Sequence, residues 1–296
     1  MQKDFNDGYS EHIPVLLDEV LDYLQVRPGK QYIDATFGFG GHSQAIIKKG
    51  GTVLGIERDE QTIREAKKRL HISKQEQKRL TIVHGSYEHI DTIAVREGFG
   101  TVHGILFDLG YSSWQLDKSG RGFRFTGNEP LDMRYEPNLQ HRTAAEVINR
   151  NSREALTELI MTYAEEEQAR RVADALVKNR PITTNTHLVS VLESVFGVHQ
   201  RRNIARVFQA MRIAVNNELQ VLTTALPKAR SLLDVGGRLA VITFHSLEDR
   251  VVKRYMVRTE SVEFSIVTKK PVTASYAETV RNSRAKSAKL RVAQKI

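Results

Sequence analysis

Apolar residues in the first third of the chain come in short runs separated by stretches of helical spacing. Residues 31–37 (QYIDATF), 52–56 (TVLGI), 80–83 and 104–109 (GILFDL) each read as a buried strand. Residues 59–70 (DEQTIREAKKRL) have helical spacing and an acidic start, which suits a helix N-terminus. Strands that alternate with helices predict a parallel sheet with right-handed crossovers. The pattern changes after Gly110. Residues 111–142, rich in Gly, Pro, Asp and Asn, read as a long ordered loop. From 143 to 226 the periodicity is helical, broken at Pro181, with Thr184 or Asn185 as the candidate cap of the next helix. Strand patterns return at 238–244 (RLAVITF), 262–267 and 290–293, with a helix expected over 246–255. The simplest organisation is an α/β domain interrupted by a helical insertion, divided as 1–114, 115–215 and 216–296.

Composition narrows the class. The chain has 296 residues, 40% hydrophobic and 27% charged, enough for one large domain or two smaller ones. No run of about 18 apolar residues occurs, so no transmembrane helix is expected. The start, MQKDFNDGYSEHIP, lacks the basic-then-apolar pattern of a secretory signal. Cysteine is absent, which excludes disulfides and thiolate metal sites and fits a reducing compartment. The net charge of +9 is uneven: eight basic residues between Lys269 and Ile296 face the single acid Glu278. Such a segment is either the footprint of a polyanion binder or a solvated tail.

The sharpest local signal is residues 34–42 (DATFGFGGH), an acid at a strand end followed by closely spaced glycines, with Glu57 closing the next strand. Glycine is needed where backbone turns tightly against a ligand, and an acid about 20 residues on suits ribose hydroxyls. Both dinucleotides and S-adenosylmethionine use this arrangement. A dinucleotide fingerprint would place its third glycine at Ser43, so the methyl donor fits better. Asp108 ends the fourth strand, where open α/β sheets hold ligands, and is placed to touch cofactor or substrate.

Several stretches, in order along nearly the whole chain, closely resemble one family, the bacterial ribosomal RNA small-subunit methyltransferase H or MraW family. They are 12–19 (HIPVLLDE), 33–43 (IDATFGFGGHS), 107–113 (FDLGYSS) with 115–117 (QLD), 130–134 (PLDMR), 208–213 (FQAMRI) with 215–216 (VN), 243–250 (TFHSLEDR) and 282–291. The resemblance implies a class I S-adenosylmethionine-dependent methyltransferase, a Rossmann-like sheet with an inserted helical domain. It implies a cytoplasmic enzyme methylating the exocyclic N4 of a cytosine in the decoding region of 16S ribosomal RNA, within an assembled or nearly assembled small subunit. Methyl-donor contacts carry over to Gly40, Gly41, His42, Glu57, Tyr87, Asp108 and Gln115. The chain departs from the family at Glu57 for Asp, Tyr87 for Phe, Trp114, Val235 and Ser283 for Pro, and Lys286 for Arg.

For such chemistry Asp108 and the Leu109 carbonyl are candidate acceptors of the amino hydrogens, and Tyr111 is a candidate platform for a flipped base. The 245–250 segment either holds RNA or begins with a helix cap at His245. Glu165, Glu166 and Glu167 with Arg170 and Arg171 read as a solvated helix face, and no histidine spacing suggests a metal. The 269–291 segment with Arg201, Arg202 and Arg206 is expected to contact phosphates. Amino methylation of another RNA or DNA, a non-catalytic RNA-binding assembly factor and a nicotinamide oxidoreductase are the rival readings.

Overall fold

A computed structural model of the chain describes residues 13–296. The reading of the first residues as lacking a leader, and His12 of the first matching stretch, lie outside the described residues. Seven strands make one sheet: β1 (Gln31–Asp34), β2 (Thr52–Glu57), β3 (Leu80–His84), β4 (Val102–Asp108), β5 (Leu233–Thr243), β6 (Phe264–Ile266) and β7 (Lys289–Lys295). Their spatial order is β3-β2-β1-β4-β5-β7-β6. The first five pair in parallel, and β7 runs antiparallel to both β5 and β6. This is the class I methyltransferase sheet that the resemblance implies.

The strands read as near-continuous apolar runs because both faces of the sheet are covered. Alternate residues go to opposite sides. Ile33, Leu54, Ile105 and Phe107 pack with the helices Ile90–Arg96, Glu218–Leu232 and Ser246–Thr259. Tyr32, Val53 and Leu106 pack on the other face with the helices Leu17–Leu24 and Gly41–Lys48.

Between β4 and β5, five helices (Ala144–Arg150, Arg153–Ala164, Ala169–Lys178, Asn185–Phe196 and Arg201–Asn216) enclose a second hydrophobic core. The long loop contributes Phe123, Leu131 and Met133 to that core, so it is irregular in backbone but buried in part. Of the two cap candidates, Thr184 takes the position, its hydroxyl accepting from the His187 amide. Among the described residues no helix is long and apolar enough to cross a membrane.

Three local expectations change. The strand expected over 262–267 shrinks to Phe264–Ile266, because Ser261 adopts a φ of +63° and turns the chain, leaving Val262 exposed. The expected 290–293 strand is longer and lies inside the sheet, as β7. The acidic face at 165–167 is not solvated as a whole. Glu165 ends its helix at a φ of +48° and pairs with Arg250 at 2.8 Å. Glu166 is buried and bonded to Asn203 at 2.9 Å, with Arg206 at 3.5 Å. A helix break at Glu165 lets Glu166 turn inward while Glu165 and Glu167 stay exposed, which periodicity alone does not reveal.

Candidate active site

The carboxyl ends of β1, β2 and β4 and the start of the helix after β5 surround one cavity of about 760 Å³, within the range of about 300–1,000 Å³ usual for ligand pockets. Asp34, at the end of β1, is buried and faces inward to the turn it precedes. Its carboxylate accepts from the Ser43 hydroxyl at 2.7 Å and the Thr36 amide at 3.3 Å, and burial pushes it up to about 6. Glu57, at the end of β2, lines the cavity. It accepts from the Gly38 amide at 2.9 Å and the Asp59 amide at 2.8 Å, and burial, with Asp59 nearby, pushes it up to about 7.

The glycine turn is built by packing as much as by ligand approach. Gly38 (φ +53°) and Gly41 line the cavity. Gly40 (φ +73°) is not among the residues that face it; a Cβ there would fall 2.6 Å from the Phe37 ring. A Cβ on Gly41 would meet Pro14 Cγ at 2.4 Å. The doublet therefore lets Phe37 and residue 14 close on the first turn of the helix Gly41–Lys48.

Asp108 ends β4 beside that turn. Its amide donates to the Thr36 hydroxyl at 2.6 Å, its Oδ2 lies 3.6 Å from His42 Nδ1, and its Oδ1 is buried without a hydrogen-bond partner. Burial, then repulsion from Asp34 and Glu248, pushes its carboxyl up to about 8, with Arg284 opposing. Tyr87 lines the same cavity and packs edge-on against Phe107, centroids 5.4 Å apart.

Gln115 reaches the cavity wall, but both ends of its amide are used by the protein. Its Oε1 accepts from the Ser112 amide at 2.8 Å, closing a capping box, and its Nε2 donates to Asp59 at 3.3 Å. Its visible work is to hold the 112–117 turn. Trp114, in the family's proline position, packs by Phe37 and Phe39. The Tyr111 ring is also engaged: Phe123 stacks on it at 5.9 Å and the Arg212 guanidinium lies 4.7 Å from its centroid. A base could stack on Tyr111 only by displacing one of these neighbours, so the site supports a positioning role for this ring better than an open platform.

His245 caps the helix Ser246–Thr259, its Nδ1 accepting from the Glu248 amide while Glu248 accepts from the Phe244 amide at 2.9 Å. Of the two readings for this segment, the cap is the one seen. Burial opposes ionisation of Glu248, but His245 beside it and Arg212 hold its carboxyl below its ordinary value. Glu218, His245 and Glu248 bring ligand-type atoms within 4.8 Å of one another. Arg212 already supplies the compensating charge: its Nε and Nη2 donate to both Glu218 oxygens at 2.8 and 3.0 Å.

The sequence motifs contain Arg212 and Asn216 without pointing to a role for them, reach Glu248 only as part of the 245–250 segment, and do not include Glu218. The basic segment is not an extended tail. Instead, residues 281–284 and Ser287 close one side of the cavity. This strap is tied to the N-terminal segment by Leu16 N–H donating to Glu278 at 2.8 Å and Asn282 donating to the Ile13 carbonyl at 2.9 Å. Arg291 is folded into β7 and paired with Asp249 at 2.7 Å, and Arg206 is held by Glu166 and by the Ala164 carbonyl. These arginines are consumed internally; Lys269, Lys270, Lys286, Arg201 and Arg202 remain exposed.

The cavity thus carries five carboxyl groups, Glu57, Asp108, Asp117, Glu218 and Glu248, with Asp34 behind the wall, and four arginines, Arg58, Arg212, Arg281 and Arg284. The Gly38 amide that a pyrophosphate would use is occupied by Glu57. That occupied amide argues against a nicotinamide dinucleotide at this turn.

Comparison with known proteins agrees. A Dehalococcoides mccartyi protein named ribosomal RNA small subunit methyltransferase H is 42% identical, over 96% of this chain and 86% of its own length. Proteins of the same name from Caldicellulosiruptor bescii and Oleidesulfovibrio alaskensis are each 41% identical over 97% of this chain, covering 99% and 96% of their own lengths. The family model described as the MraW methylase family matches residues 9–296, and the chain belongs to that family.

Proposed function

We propose that the chain methylates the exocyclic N4 of a cytosine in the decoding region of 16S ribosomal RNA, using S-adenosylmethionine, in the cytoplasm and on an assembled or nearly assembled small subunit. The observation that carries this reading is the buried, unpartnered Oδ1 of Asp108, a residue of the cavity wall. When bound, S-adenosylmethionine supplies an electrophilic methyl on a positively charged sulfur. Glu57 is the acceptor for ribose hydroxyls, Tyr87 the ring beside the adenine, and the backbone of the turn from Gly38 to His42 the seat of the methionine end, the His42 side chain pointing to Val15 and Asp108. Gly40 and Gln115 support that seat from behind and from the side.

Cytosine N4 is a weak nucleophile, because its lone pair is delocalised into the ring. Asp108 Oδ1 and the Leu109 carbonyl draw on its hydrogens, and alignment of the two reactants lowers the barrier by up to about 7–11 kcal/mol in well-oriented cases. The 115–215 insertion reads the shape of the RNA, while exposed cations such as Lys269, Lys270, Arg201 and Arg202 engage phosphates without reading sequence.

Incubating the enzyme with labelled methyl donor and small subunits from a strain lacking this modification is expected to yield N4-methylated cytidine on nucleoside mass spectrometry. Binding to the subunit should weaken steeply with salt, log affinity falling linearly with log salt concentration. Label that appears only in naked RNA or in DNA would overturn the substrate. A nearer test is Gly41→Ala. Its methyl must push residue 14 away from the helix start, costing about 1–3 kcal/mol of stability. Calorimetric titration should show donor affinity reduced by about tenfold or more, the equivalent of about 1.4 kcal/mol; unchanged affinity would mean that the turn does not form the donor seat.

A further inference from the structure

Methylation of an amino nitrogen leaves a proton to remove, and the side chain next to Asp108 bears on where it goes. His42 sits in the first turn of the helix Gly41–Lys48 and is 5% exposed. Its Nε2 is 3.0 Å from the Val15 carbonyl oxygen. A carbonyl only accepts, so Nε2 carries hydrogen. Its Nδ1 is 3.6 Å from Asp108 Oδ2. In a neutral ring so anchored, Nδ1 presents a lone pair, which repels a carboxylate. The pair is therefore favourable only with one further proton between its members, either on the carboxyl or on the imidazole. Oδ1, the other oxygen, has no partner and belongs to a residue on the cavity wall.

We propose that His42 is a positioning residue that holds Asp108 by Oδ2, so that Oδ1 accepts the proton leaving the cytosine N4. The inference rests on the proposed function. Forming the N4–CH3 bond returns the broken C–S pair to sulfur and places the positive charge on the base. The proton then passes from N4 to Oδ1, and the N–H electron pair stays on nitrogen as the neutral methylamino group. The proton reaches solvent when the product leaves. Besides His42, the charged groups acting on Asp108 are Asp34 from β1, Glu248 from the helix Ser246–Thr259 and Arg284 from the strap. The two acids favour the protonated carboxyl and Arg284 opposes them. Asp108 works ionised, which places the shared proton on the His42 imidazole; losing that positive neighbour should move the rising limb of the rate against pH to higher pH.

Two substitutions separate the ring nitrogens. His42→Gln can keep an amide on the Val15 carbonyl but loses the Asp108 contact; His42→Asn places its amide near the position of Nδ1. With methyl donor and small subunits, His42→Gln is expected to lower kcat by about 10- to 100-fold, the lower part of the general acid–base range. Its KM and donor affinity should stay within about twofold, with the pH limb shifted upward, and His42→Asn should recover at least half of the loss in log kcat. A His42→Gln enzyme with wild-type kcat and pH profile would overturn the proposal, as would kcat and donor affinity falling together in both variants. A readout independent of turnover is the nitrogen-15 spectrum of the His42 ring in the enzyme bound to S-adenosylhomocysteine. Asp108→Asn is expected to change the Nδ1 signal, and an unchanged signal overturns the pairing. A changed signal in an enzyme that methylates no small subunit would leave the pair standing and overturn the substrate instead.

Discussion

Asp108→Asn is expected to reduce methyl transfer by about 10²–10⁴-fold, the loss usual for a positioned proton acceptor, while the folded enzyme still binds the methyl donor. The amide keeps the shape of the side chain and the backbone bond to Thr36, but it cannot take a proton. The same substitution should stabilise the free enzyme, in a way that depends on pH. The Asp108 carboxyl rises from an ordinary value of 3.8 to about 8 on folding, through burial and through Asp34 and Glu248. Below the ordinary value it is neutral in both states and contributes nothing. As pH rises toward 8 the unfolded chain ionises it and the folded chain resists, so stability falls; above 8 the full penalty is present. Asparagine carries no such penalty. The melting temperature of the variant should therefore exceed that of the wild type at pH 8, and the difference should vanish near pH 4. Kinetics on small subunits and melting curves across pH check both arms. A variant with wild-type kcat would remove Asp108 from the chemistry, and a difference in melting temperature that does not change with pH would show that its carboxyl is not held under charge stress.

Which parts of this site the sequence disclosed follows from how locally each is determined. The strands β1, β2, β4 and β5 are legible because burial on both faces makes them apolar throughout, and Asp34, Glu57 and Asp108 stand out as acids at their ends. The glycine turn is legible for the same local reason, although it took the fold to show that Gly40 answers to Phe37 and Gly41 to Pro14. Contacts between distant segments are not legible. Arg212 and Glu218 follow helical spacing, and nothing in that spacing says they face a cavity formed with β4. The C-terminal segment looks like a solvated cationic tail by charge, yet residues 290–293 are buried on both faces of β7, Leu290 and Val292 in one core and Ala293 in the other, with Arg291 paired to Asp249. Glu166 was misjudged because a left-handed residue at Glu165 ends the helix, and periodicity cannot locate such a break.

The largest stability effect is expected at Arg121, a residue of the long loop that is only 7% exposed. Its guanidinium donates to both oxygens of Asp59 at 2.8 and 3.2 Å, to Gln61 at 2.8 Å and to the Arg134 and Tyr135 carbonyls at 3.2 Å each. Asp59 in turn caps the helix Glu60–Arg69 through the Gln61 amide, accepts from Gln115, and gives its own amide to Glu57. One buried arginine thus connects the loop that enters the helical insertion to the acid proposed for the ribose. Removing one member of a buried ion pair leaves the other charge uncompensated, at about 3–5 kcal/mol, a large share of the roughly 5–15 kcal/mol that holds a typical domain folded. Arg121→Met should show that loss in denaturant unfolding and weaken donor binding as well, because Asp59 and Glu57 lose their support. The double variant Arg121→Met, Asp59→Asn removes both charges and should lose less than the sum of the two single variants, since the unpaired carboxylate is the main cost. Additive losses would mean that the two residues act separately, and a loss under about 1 kcal/mol in Arg121→Met, the level of a surface pair, would show that the bridge is solvated and that the loop and the cofactor turn are held together by other contacts.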